Sequence, residues 1–265
     1  MKYSKVLVVR KMSALEFYYK GNHKSQELKK SQEKHDESIK KIEEILQSFG
    51  FQYKIVTRDE LTPPLVDDYS YVISAGGDGT VIAAAAFNKD RPQLNLKTDA
   101  KSKGALCHHD IEKALEAFVK SDYKIEEWTR QDIYLDGRFI GRALNETCIG
   151  GEGMKFTKVA RYNISTNEKS ELKYHENSGI VIVTGTGSTG WPSAFEPYPR
   201  DSTLFKFKTA WPIKGSERGE GNNFKIEYKR HKGGFSLDTI DYDLPRDSVL
   251  EIGLSENPLK VIVEK

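Results

Sequence analysis

A buried-strand pattern that turns directly into a helix pattern is the strongest constraint on the fold of this chain. The apolar run Tyr71 to Ala75 is followed at once by glycines, and the alanine-rich segment Val81 to Phe87 comes next. The first run predicts a buried strand and the second a helix, and glycine permits the sharp turn between them. Units of this kind build parallel sheets, so this part of the chain is predicted to be α/β.

The segments on either side repeat the alternation of strand and helix. Apolar residues at helical spacing predict an amphipathic helix from Glu33 to Ser48, with Gly50 as its stop. Similar patterns predict strands at Val6 to Val9, Phe51 to Val56 and Leu94 to Leu96, and a helix at Asp110 to Phe118. We therefore expect residues 1–121 to form an α/β domain with a parallel, Rossmann-like sheet.

The second half of the chain changes to a period of two, which is typical of strands. A hairpin is predicted from Gln131 to Leu135, the turn Asp136-Gly137, and a long strand from Arg138 to Ile149. Short strands continue to the end, without a helical run longer than about two turns. We expect residues 122–265 to form a mostly β domain, although the last strand, Leu259 to Val263, fits either domain.

Charge and cysteine content narrow the class of protein. The 41 Lys and Arg residues nearly balance the 39 Asp and Glu residues, so no basic footprint for nucleic acid is present. The two cysteines form no Cys-x-x-Cys spacing, and His108-His109 lacks a third ligand, so no protein metal site is predicted. With no apolar stretch of about 18 residues and no signal or transit peptide, we expect a cytoplasmic protein without a membrane partner.

The glycine-rich turn itself suggests anion binding. Gly76, Gly77 and Gly79 leave backbone N–H groups exposed next to the positive end of a helix, and Thr80 adds a hydroxyl. Asp78 would repel a bound phosphate unless it meets a metal ion or a hydroxyl proton, which indicates proton or metal handling. The alternative is a plain strand-to-helix turn in which Asp78 or Thr80 acts as a cap.

Two further polar segments fit a sugar and a nucleotide. Asn145 and Glu146, predicted inside a strand, have the groups to bind the two hydroxyls of a ribose, or they lie on the wet face of a hairpin. The segment from Thr184 to Trp191 satisfies Gly-x-Gly-x-x-Gly after a strand. A Rossmann dehydrogenase is rejected, because Pro192 and Pro197 prevent the long helix that such a fingerprint needs.

These motifs together resemble those of one enzyme family. The segment Gly76 to Thr80 (GGDGT) resembles the signature shared by NAD kinases, diacylglycerol kinases and sphingosine kinases. Leu144 to Glu146 (LNE) and Thr184 to Trp191 (TGTGSTGW) resemble segments of NAD kinases, in the same order and spacing. The ending in Trp191 and the opening segment Val6 to Phe17 are most similar to the mitochondrial-type branch.

The resemblance implies an NAD kinase that phosphorylates the 2′-hydroxyl of the adenosine ribose of NAD, with ATP or polyphosphate as donor and Mg²⁺ or Mn²⁺ on the donor phosphates. It implies that Asp78 is the catalytic base and that the chain forms a homodimer or homotetramer. The residues implied to bind the donor phosphates are Gly76, Gly77, Gly79 and Thr80. Those implied to bind NAD are Asn145, Glu146, Thr186, Ser188, Thr189 and Trp191.

Two other functions stay open, one because the sequence departs from the family pattern and one because the glycine signature is shared with lipid kinases. Ser178 stands where most members have an Asp that contacts the nicotinamide amide, and the segment Gly104 to His108 lacks an aromatic residue. Asp238 is not followed by the usual glycine. One alternative is a lipid or sphingoid-base kinase with the same glycine cradle, and the other is a non-catalytic sensor that binds NAD or NADP.

Overall fold

The fold is described from a computed structural model of the chain. The described residues are 4–12, 16, 25–99, 101–155, 157–166, 171–191, 194–214 and 218–265. Part of the opening segment Val6 to Phe17 and Pro192 lie outside them. The described residues divide into two compact units, one of Met1–Glu127 with Leu259–Lys265 (unit 1) and one of Trp128–Pro258 (unit 2).

Unit 1 is a six-stranded sheet flanked by helices. Its elements are β1 (Lys5–Arg10), α1 (Gln26–Ser48), β2 (Gln52–Thr57), α2 (Pro63–Asp67), β3 (Tyr71–Gly76), α3 (Asp78–Phe87), β4 (Gln93–Lys97), α4 (Ile111–Lys120), β5 (Tyr123–Trp128) and β18 (Leu259–Glu264), plus a 3₁₀ turn at Arg58–Glu60. The strand order is β2-β1-β3-β4-β18-β5. The contacts from β2 through β18 are parallel, as the alternating pattern predicts.

The helices of unit 1 are longer than their apolar patterns alone indicate. Helix α1 starts at Gln26, ahead of the predicted Glu33, because the Ser25 side chain accepts a hydrogen bond from the Leu28 N–H and caps the helix there. Its buried face, which includes Ile42 and Leu46, packs into a core with residues of the sheet. Burial on one face of the helix therefore anchors it to the strands that precede the glycine turn.

The division between the units falls after Glu127, not after Ser121. The expected boundary of residue 121 rests on the change of periodicity, but β5 joins the sheet of unit 1 beside β18. The last strand, which fits either half by sequence, pairs with β4 and so returns to unit 1. Pairing across more than 150 residues of sequence is a property of the tertiary fold, which local periodicity does not encode.

Unit 2 consists of two antiparallel sheets. One has the order β10-β9-β14-β17-β6-β7 and the other β13-β12-β11-β8-β15-β16. Their strands are β6 (Gln131–Leu135), β7 (Arg138–Ala143), β8 (Glu146–Gly151), β9 (Ala160–Thr166), β10 (Lys173–Asn177), β11 (Gly179–Val183), β12 (Phe205–Ala210), β13 (Arg218–Gly221), β14 (Asn223–Tyr228), β15 (Lys232–Leu237), β16 (Ile240–Pro245) and β17 (Val249–Leu254). The short helix α5 (Gly185–Ser188) follows β11.

Both sheets of unit 2 contribute to one apolar core. Ile133, Tyr162 and Ile252 come from the first sheet, and Ile149 and Phe235 from the second. The strand predicted from Arg138 to Ile149 is wrong in one respect: it is interrupted between β7 and β8. That break leaves Leu144 and Asn145 outside regular pairing.

Among the described residues, no helix is both long and apolar enough to cross a membrane.

Candidate functional site

The glycine turn of unit 1 connects β3 to α3. Strand β3 ends at Gly76, Gly77 is the helix cap, and Asp78 begins the helix. The N–H groups of Thr80 and Val81 donate to the Gly77 carbonyl, 2.9 and 3.2 Å away. The N–H groups that precede them have no acceptor within the helix, so this end of α3 offers donors to an anion.

The three glycines of the turn differ in the space around them: Gly76 and Gly77 are tightly packed, and Gly79 is not. A Cβ on Gly76 would lie 2.1 Å from the Thr80 hydroxyl oxygen, and one on Gly77 would lie 2.2 Å from the Ser102 hydroxyl oxygen. A Cβ on Gly79 would meet no atom within 4 Å, and Gly79 is exposed. Close packing therefore explains why positions 76 and 77 are glycine. At position 79 a side chain would meet open space, so packing does not explain the glycine there.

Gly79→Ala tests whether that space belongs to a ligand. In the first turn of a helix, alanine should leave the protein as stable or more stable by up to about 1 kcal/mol. If a phosphate approaches the Gly79 N–H, the added methyl group should raise the KM for ATP roughly tenfold. Thermal unfolding and steady-state kinetics measure the two effects.

Gly77→Ala is the matched variant for the other kind of glycine. Because its methyl group collides with the side chain of Ser102, we expect a loss of about 1 to 3 kcal/mol in the free energy of unfolding. For the Gly79→Ala variant, an unchanged KM for ATP would contradict phosphate binding at this position and favour a plain strand-to-helix turn.

Asp78 holds a neighbouring loop through its carboxylate. Its Oδ1 accepts the Leu106 N–H at 2.8 Å and its Oδ2 accepts the Ala105 N–H at 3.2 Å. Asp78 is half-buried, and a carboxylate has about four acceptor positions, so two of them remain for other donors. The side chain is thus fixed in orientation and still able to accept a proton.

A cluster of polar residues is attached to the glycine turn by hydrogen bonds. The Gly76 carbonyl accepts the N–H groups of Thr98 and Asp99, and the Asp99 carboxylate pairs with Lys11 at the end of β1. The Thr98 hydroxyl contacts His35 Nδ1 at 2.9 Å. Burial is the main cause that lowers the pKa of His35 below its usual range. No sequence pattern indicates this cluster, because its members lie far apart along the chain.

The Asn-Glu segment of unit 2 lies at the break between β7 and β8. The prediction that both residues lie inside a strand is wrong for Asn145, which occupies a bend; Glu146 is the first residue of β8. The Asp238 carboxylate accepts the N–H groups of Leu144 at 2.9 Å, Asn145 at 2.8 Å and Glu146 at 3.1 Å. These three bonds hold the backbone through the break and into the start of β8, and so fix the direction of the Asn145 and Glu146 side chains.

Asp238 stands out in the sequence only because the usual glycine is missing after it. Its own φ is 51°, in the left-handed region where Asp is tolerated better than most residues. Burial raises its pKa to about 6, although the three N–H donors stabilise the charged form. Through its three hydrogen bonds from backbone N–H groups, Asp238 anchors the Asn-Glu segment.

The loop from Thr184 to Trp191 is attached to the same segment. The Thr184 hydroxyl donates to the Leu144 carbonyl at 2.6 Å, and the Thr184 N–H donates to the Asn145 carbonyl at 2.8 Å. Gly187 packs so closely that a Cβ there would lie 2.1 Å from the Asn145 carbonyl oxygen. The two motifs that are separate in sequence therefore form one assembly in unit 2.

The hydroxyl groups of this loop have different environments. Ser188 is fully buried, donates to the Gly185 carbonyl at 2.7 Å and accepts the Tyr198 N–H at 3.3 Å. Thr189 donates to the Thr186 carbonyl at 3.0 Å. Two buried atoms of the assembly, Thr186 Oγ1 and Asn145 Oδ1, have no hydrogen-bond partner among the described residues. Buried polar atoms without partners are costly, and a ligand can satisfy them.

A cavity of about 600 Å³ opens beside this assembly. Glu146, Asp238 and Trp191 line it together with Ser178, the residue that departs from the family pattern. Its walls also include Cys148, Ile149, Met154, Ile180, Lys208, Trp211 and Asp241. A mainly apolar concavity with a few converging polar groups is the usual form of a small-molecule site.

The carboxylate of Glu146 is strongly affected by its burial beside this cavity. Burial raises its pKa to about 7, the nearby Asp238 carboxylate adds to the rise, and a hydrogen bond from Trp191 opposes it. Because the folded-state pKa exceeds the unfolded value, Glu146 contributes stability below about pH 4.5 that is lost as the pH rises through 7.

Glu146→Gln should therefore stabilise the protein at high pH. The amide keeps an acceptor for Trp191 and has no charge to bury, so we expect a gain of about 2 kcal/mol in unfolding free energy at pH 8, with little difference at pH 4. Urea unfolding at both pH values measures this. An equal difference at the two pH values would contradict the assignment of a buried, destabilised carboxylate.

The described residues offer no all-protein metal cage. No group of three or more His, Cys, Asp or Glu residues in that part of the chain is arranged to hold a metal ion. Mg²⁺ commonly uses one or two carboxylates, waters and substrate phosphates. Asp78, with two unused acceptor positions beside the glycine turn, fits an ion held in that second manner.

Sequence comparison relates the chain to NAD kinases. Human mitochondrial NAD kinase 2 is 28% identical over 210 residues, covering 60% of this chain and 47% of the relative. An NAD kinase of Saccharolobus islandicus (strain M.14.25 / Kamchatka #1) is 30% identical over 158 residues, covering 58% and 54%. The chain thus spans about half the length of the curated relatives it matches. No protein-family model matches it.

Solved structures share the fold over nearly the whole chain. An NAD kinase from Archaeoglobus fulgidus in complex with ATP superposes with a TM-score of 0.71 at 18% identity, covering 98% of this chain and 94% of that one. A yeast NADH kinase complexed with NADH gives 0.74 at 15% identity, covering 100% and 84%. At these identities the likeness concerns the fold.

The fold class expected from sequence is confirmed: an α/β unit with a mostly parallel sheet, followed by a unit of antiparallel sheets. Within that class, the sequence relatives described above are NAD kinases, which confirms the resemblance of the motifs to that family.

Proposed function

We propose that this protein is an NAD kinase that transfers the terminal phosphoryl group of ATP to the 2′-hydroxyl of the adenosine ribose of NAD, giving NADP. The observation that carries the proposal is the joined assembly of the Asn-Glu segment and the α5 loop. Its two buried, unpartnered atoms, Asn145 Oδ1 and Thr186 Oγ1, call for hydrogen-bonding groups of a ligand. Ribose hydroxyls supply such groups.

Each motif has a role in the proposed reaction. The N–H groups at the start of α3, with Gly76, Gly77 and Gly79 around them, hold the donor phosphates, and the Thr80 hydroxyl is near them. Asn145 and Glu146 bind the ribose, while Thr186 and Thr189 contact the dinucleotide and Trp191 packs against a base. Ser188 acts mainly by holding the loop, since both sides of its hydroxyl are used internally.

Asp78 accepts the proton of the attacking hydroxyl in this proposal. Phosphoryl transfer usually has a loose transition state with little bonding to the nucleophile. Orientation of the hydroxyl and neutralisation of phosphate charge therefore contribute more than proton removal. Mg²⁺ or Mn²⁺ bound to the donor phosphates would supply that neutralisation, and Asp78 would be the carboxylate that meets the ion.

The direct test is NADP formation by the purified full chain with NAD, Mg²⁺ and either ATP or polyphosphate. We expect NADP with ATP, and the polyphosphate arm determines whether the donor range is wider. A lipid kinase would phosphorylate diacylglycerol or sphingosine and leave NAD unchanged. A sensor would bind NAD or NADP by calorimetry and give no product with any donor.

Assembly and location are further proposals. A homodimer or homotetramer is implied by the family resemblance, and light scattering on the eluted protein tests it. The cytoplasmic location stays a prediction, tested by fractionation of the source cells.

A further inference from the structure

Strand β4 brings a lysine next to the glycine turn of unit 1. Strands β3 and β4 are parallel, and Gly76, the last residue of β3, pairs with Lys97, the last residue of β4. Ligands of open α/β sheets bind outside the carboxyl ends of the strands. Lys97 therefore lies at the edge of the sheet where the turn begins, although it belongs to none of the sequence motifs.

Lys97 is on the face of the sheet that α3 covers. The neighbouring Leu96 packs into the core that includes residues of α1, whereas Gln93 donates to the Val81 carbonyl of α3 at 3.3 Å. Because side chains alternate along a strand, Lys97 is on the same face as Gln93 and not on that of Leu96. Asp78, the first residue of α3, and Lys97 thus share one face at one end of the sheet.

The side chain of Lys97 follows the loop that Asp78 holds. A Cβ on Gly104 would lie 2.7 Å from Cδ and 3.2 Å from Cε of Lys97, so the lysine stem lies against the Gly104 backbone. The next two N–H groups of that loop, those of Ala105 and Leu106, donate to the Asp78 carboxylate. One short loop therefore contacts both the lysine and the carboxylate.

The thiol of Cys107 is affected by both charges. Burial is the main cause that raises its pKa to about 12, the Asp78 carboxylate adds to the rise, and Lys97 opposes it. The two effects have opposite signs because a nearby negative charge disfavours the thiolate and a positive charge favours it. Both charges therefore lie near Cys107.

The charge of Lys97 is not used within unit 1. Lys11, which follows β1 at the same edge of the sheet, pairs with the Asp99 carboxylate. Among the residues that the structure describes, no carboxylate pairs with the Lys97 ammonium group, and the side chain is half-buried. This lysine is therefore available to an anion that approaches the glycine turn.

We propose that Lys97 binds a phosphate group of the phosphoryl donor beside Asp78. The inference rests on the proposed function and adds a binding residue to its donor site. An ammonium group is a compact charge with three donors, and lysine is a common ligand of phosphate. The Asp78 carboxylate by itself repels a phosphate, and a cation on the same face of the sheet offsets that repulsion.

The experiment measures binding of inorganic tripolyphosphate to the full chain by calorimetry, with Mg²⁺ and without NAD. Lys97→Gln removes the charge and keeps most of the stem that lies along Gly104, so thermal unfolding should not change. We expect this variant to bind tripolyphosphate at least tenfold more weakly, which corresponds to about 1.4 kcal/mol. Lys97→Arg keeps the charge and should lose less than about threefold in affinity.

Lys103→Gln is the matched control for the loss of charge. Lys103 is an exposed residue of the same loop, so this variant changes the net charge equally. Its affinity for tripolyphosphate should stay within about twofold of the original, because an exposed charge is screened by water and salt. In steady-state kinetics, Lys97→Gln should raise the KM for ATP about tenfold and leave the KM for NAD nearly unchanged.

The outcomes separate this inference from the proposed function. An original protein that does not bind tripolyphosphate, unchanged affinity in a folded Lys97→Gln protein, or an equal loss in Lys97→Arg or Lys103→Gln would overturn the inference. Weaker binding by Lys97→Gln alone, in a protein that forms no NADP, would support the phosphate contact and contradict the kinase. NADP formation with normal tripolyphosphate binding by Lys97→Gln would do the reverse.

Discussion

Asp78→Asn should lower the kcat for NADP formation by about 10²- to 10⁴-fold, the range that a positioned general base typically contributes. The amide has nearly the shape of the carboxylate but cannot take up the proton of the 2′-hydroxyl. We expect the KM values for ATP and NAD to change by less than about threefold, because an interaction made only in the transition state affects kcat. Steady-state kinetics with both substrates varied measures the split.

The structural role of Asp78 makes a control essential. Its carboxylate accepts two backbone N–H groups from Ala105 and Leu106, and asparagine can replace only one of these acceptors. Asp110→Asn is the matched variant, because Asp110 also accepts a backbone N–H at a helix start and asparagine caps helices equally well. It should leave kcat unchanged. If Asp78→Asn instead raised both KM values and kept kcat, Asp78 would be a loop anchor and not the base.

Gly187→Ala should unfold or severely weaken unit 2. The new methyl group would lie 2.1 Å from the carbonyl oxygen, 2.6 Å from the carbonyl carbon and 2.9 Å from the Cα of Asn145. These are backbone atoms, which cannot rotate away as a side chain does. We expect a loss of about 3 kcal/mol in unfolding free energy, at the upper end of the overpacking range. Urea unfolding measures it.

The same change should abolish NAD binding under conditions in which the protein stays folded. The Asn145 carbonyl accepts the Thr184 N–H, so pushing Gly187 away separates the loop from the Asn-Glu segment. Gly190→Ala is the milder control within the loop, since its methyl group would approach the Gly187 carbonyl oxygen at 3.3 Å, a tight contact but a far smaller overlap than at Gly187. That variant should keep its stability and its affinity for NAD. A stable Gly187→Ala protein with normal affinity would show that this close packing is not needed for the site.

Two features of the fold could be predicted from the sequence: the alternation of strand and helix in the first half of the chain, and the change to short strands in the second half. Each depends on residues that lie only a few positions apart in the chain. Strand β3, the turn at Gly76 and Gly77, and helix α3 were predicted for this reason. The predicted ends of these elements were less accurate than their predicted type. The start of α1 depends on the capping hydrogen bond of Ser25, which an apolar period does not reveal.

The candidate site was predicted only as separate pieces of sequence. The assembly of Asn145 and Glu146 with the α5 loop depends on β8 pairing with β11 and with β15, and β15 delivers Asp238. Asp238 was not predicted as an anchor, and Trp211 was not predicted as part of a cavity wall. Trp211 lies near none of the motifs described above, and Asp238 was noted only for the glycine that is missing after it.

By itself, the sequence determined the order of the two structural classes, the glycine turn and the residue types available for phosphate and ribose, since these depend on periodicity and on the local freedom of glycine. Only the tertiary structure decided that β18 returns to unit 1, that Gly79 faces open space, and that three carboxylates and two indoles share one cavity. The physical reason is that such contacts join residues far apart in the chain, and their energies arise from packing and burial that no local pattern records.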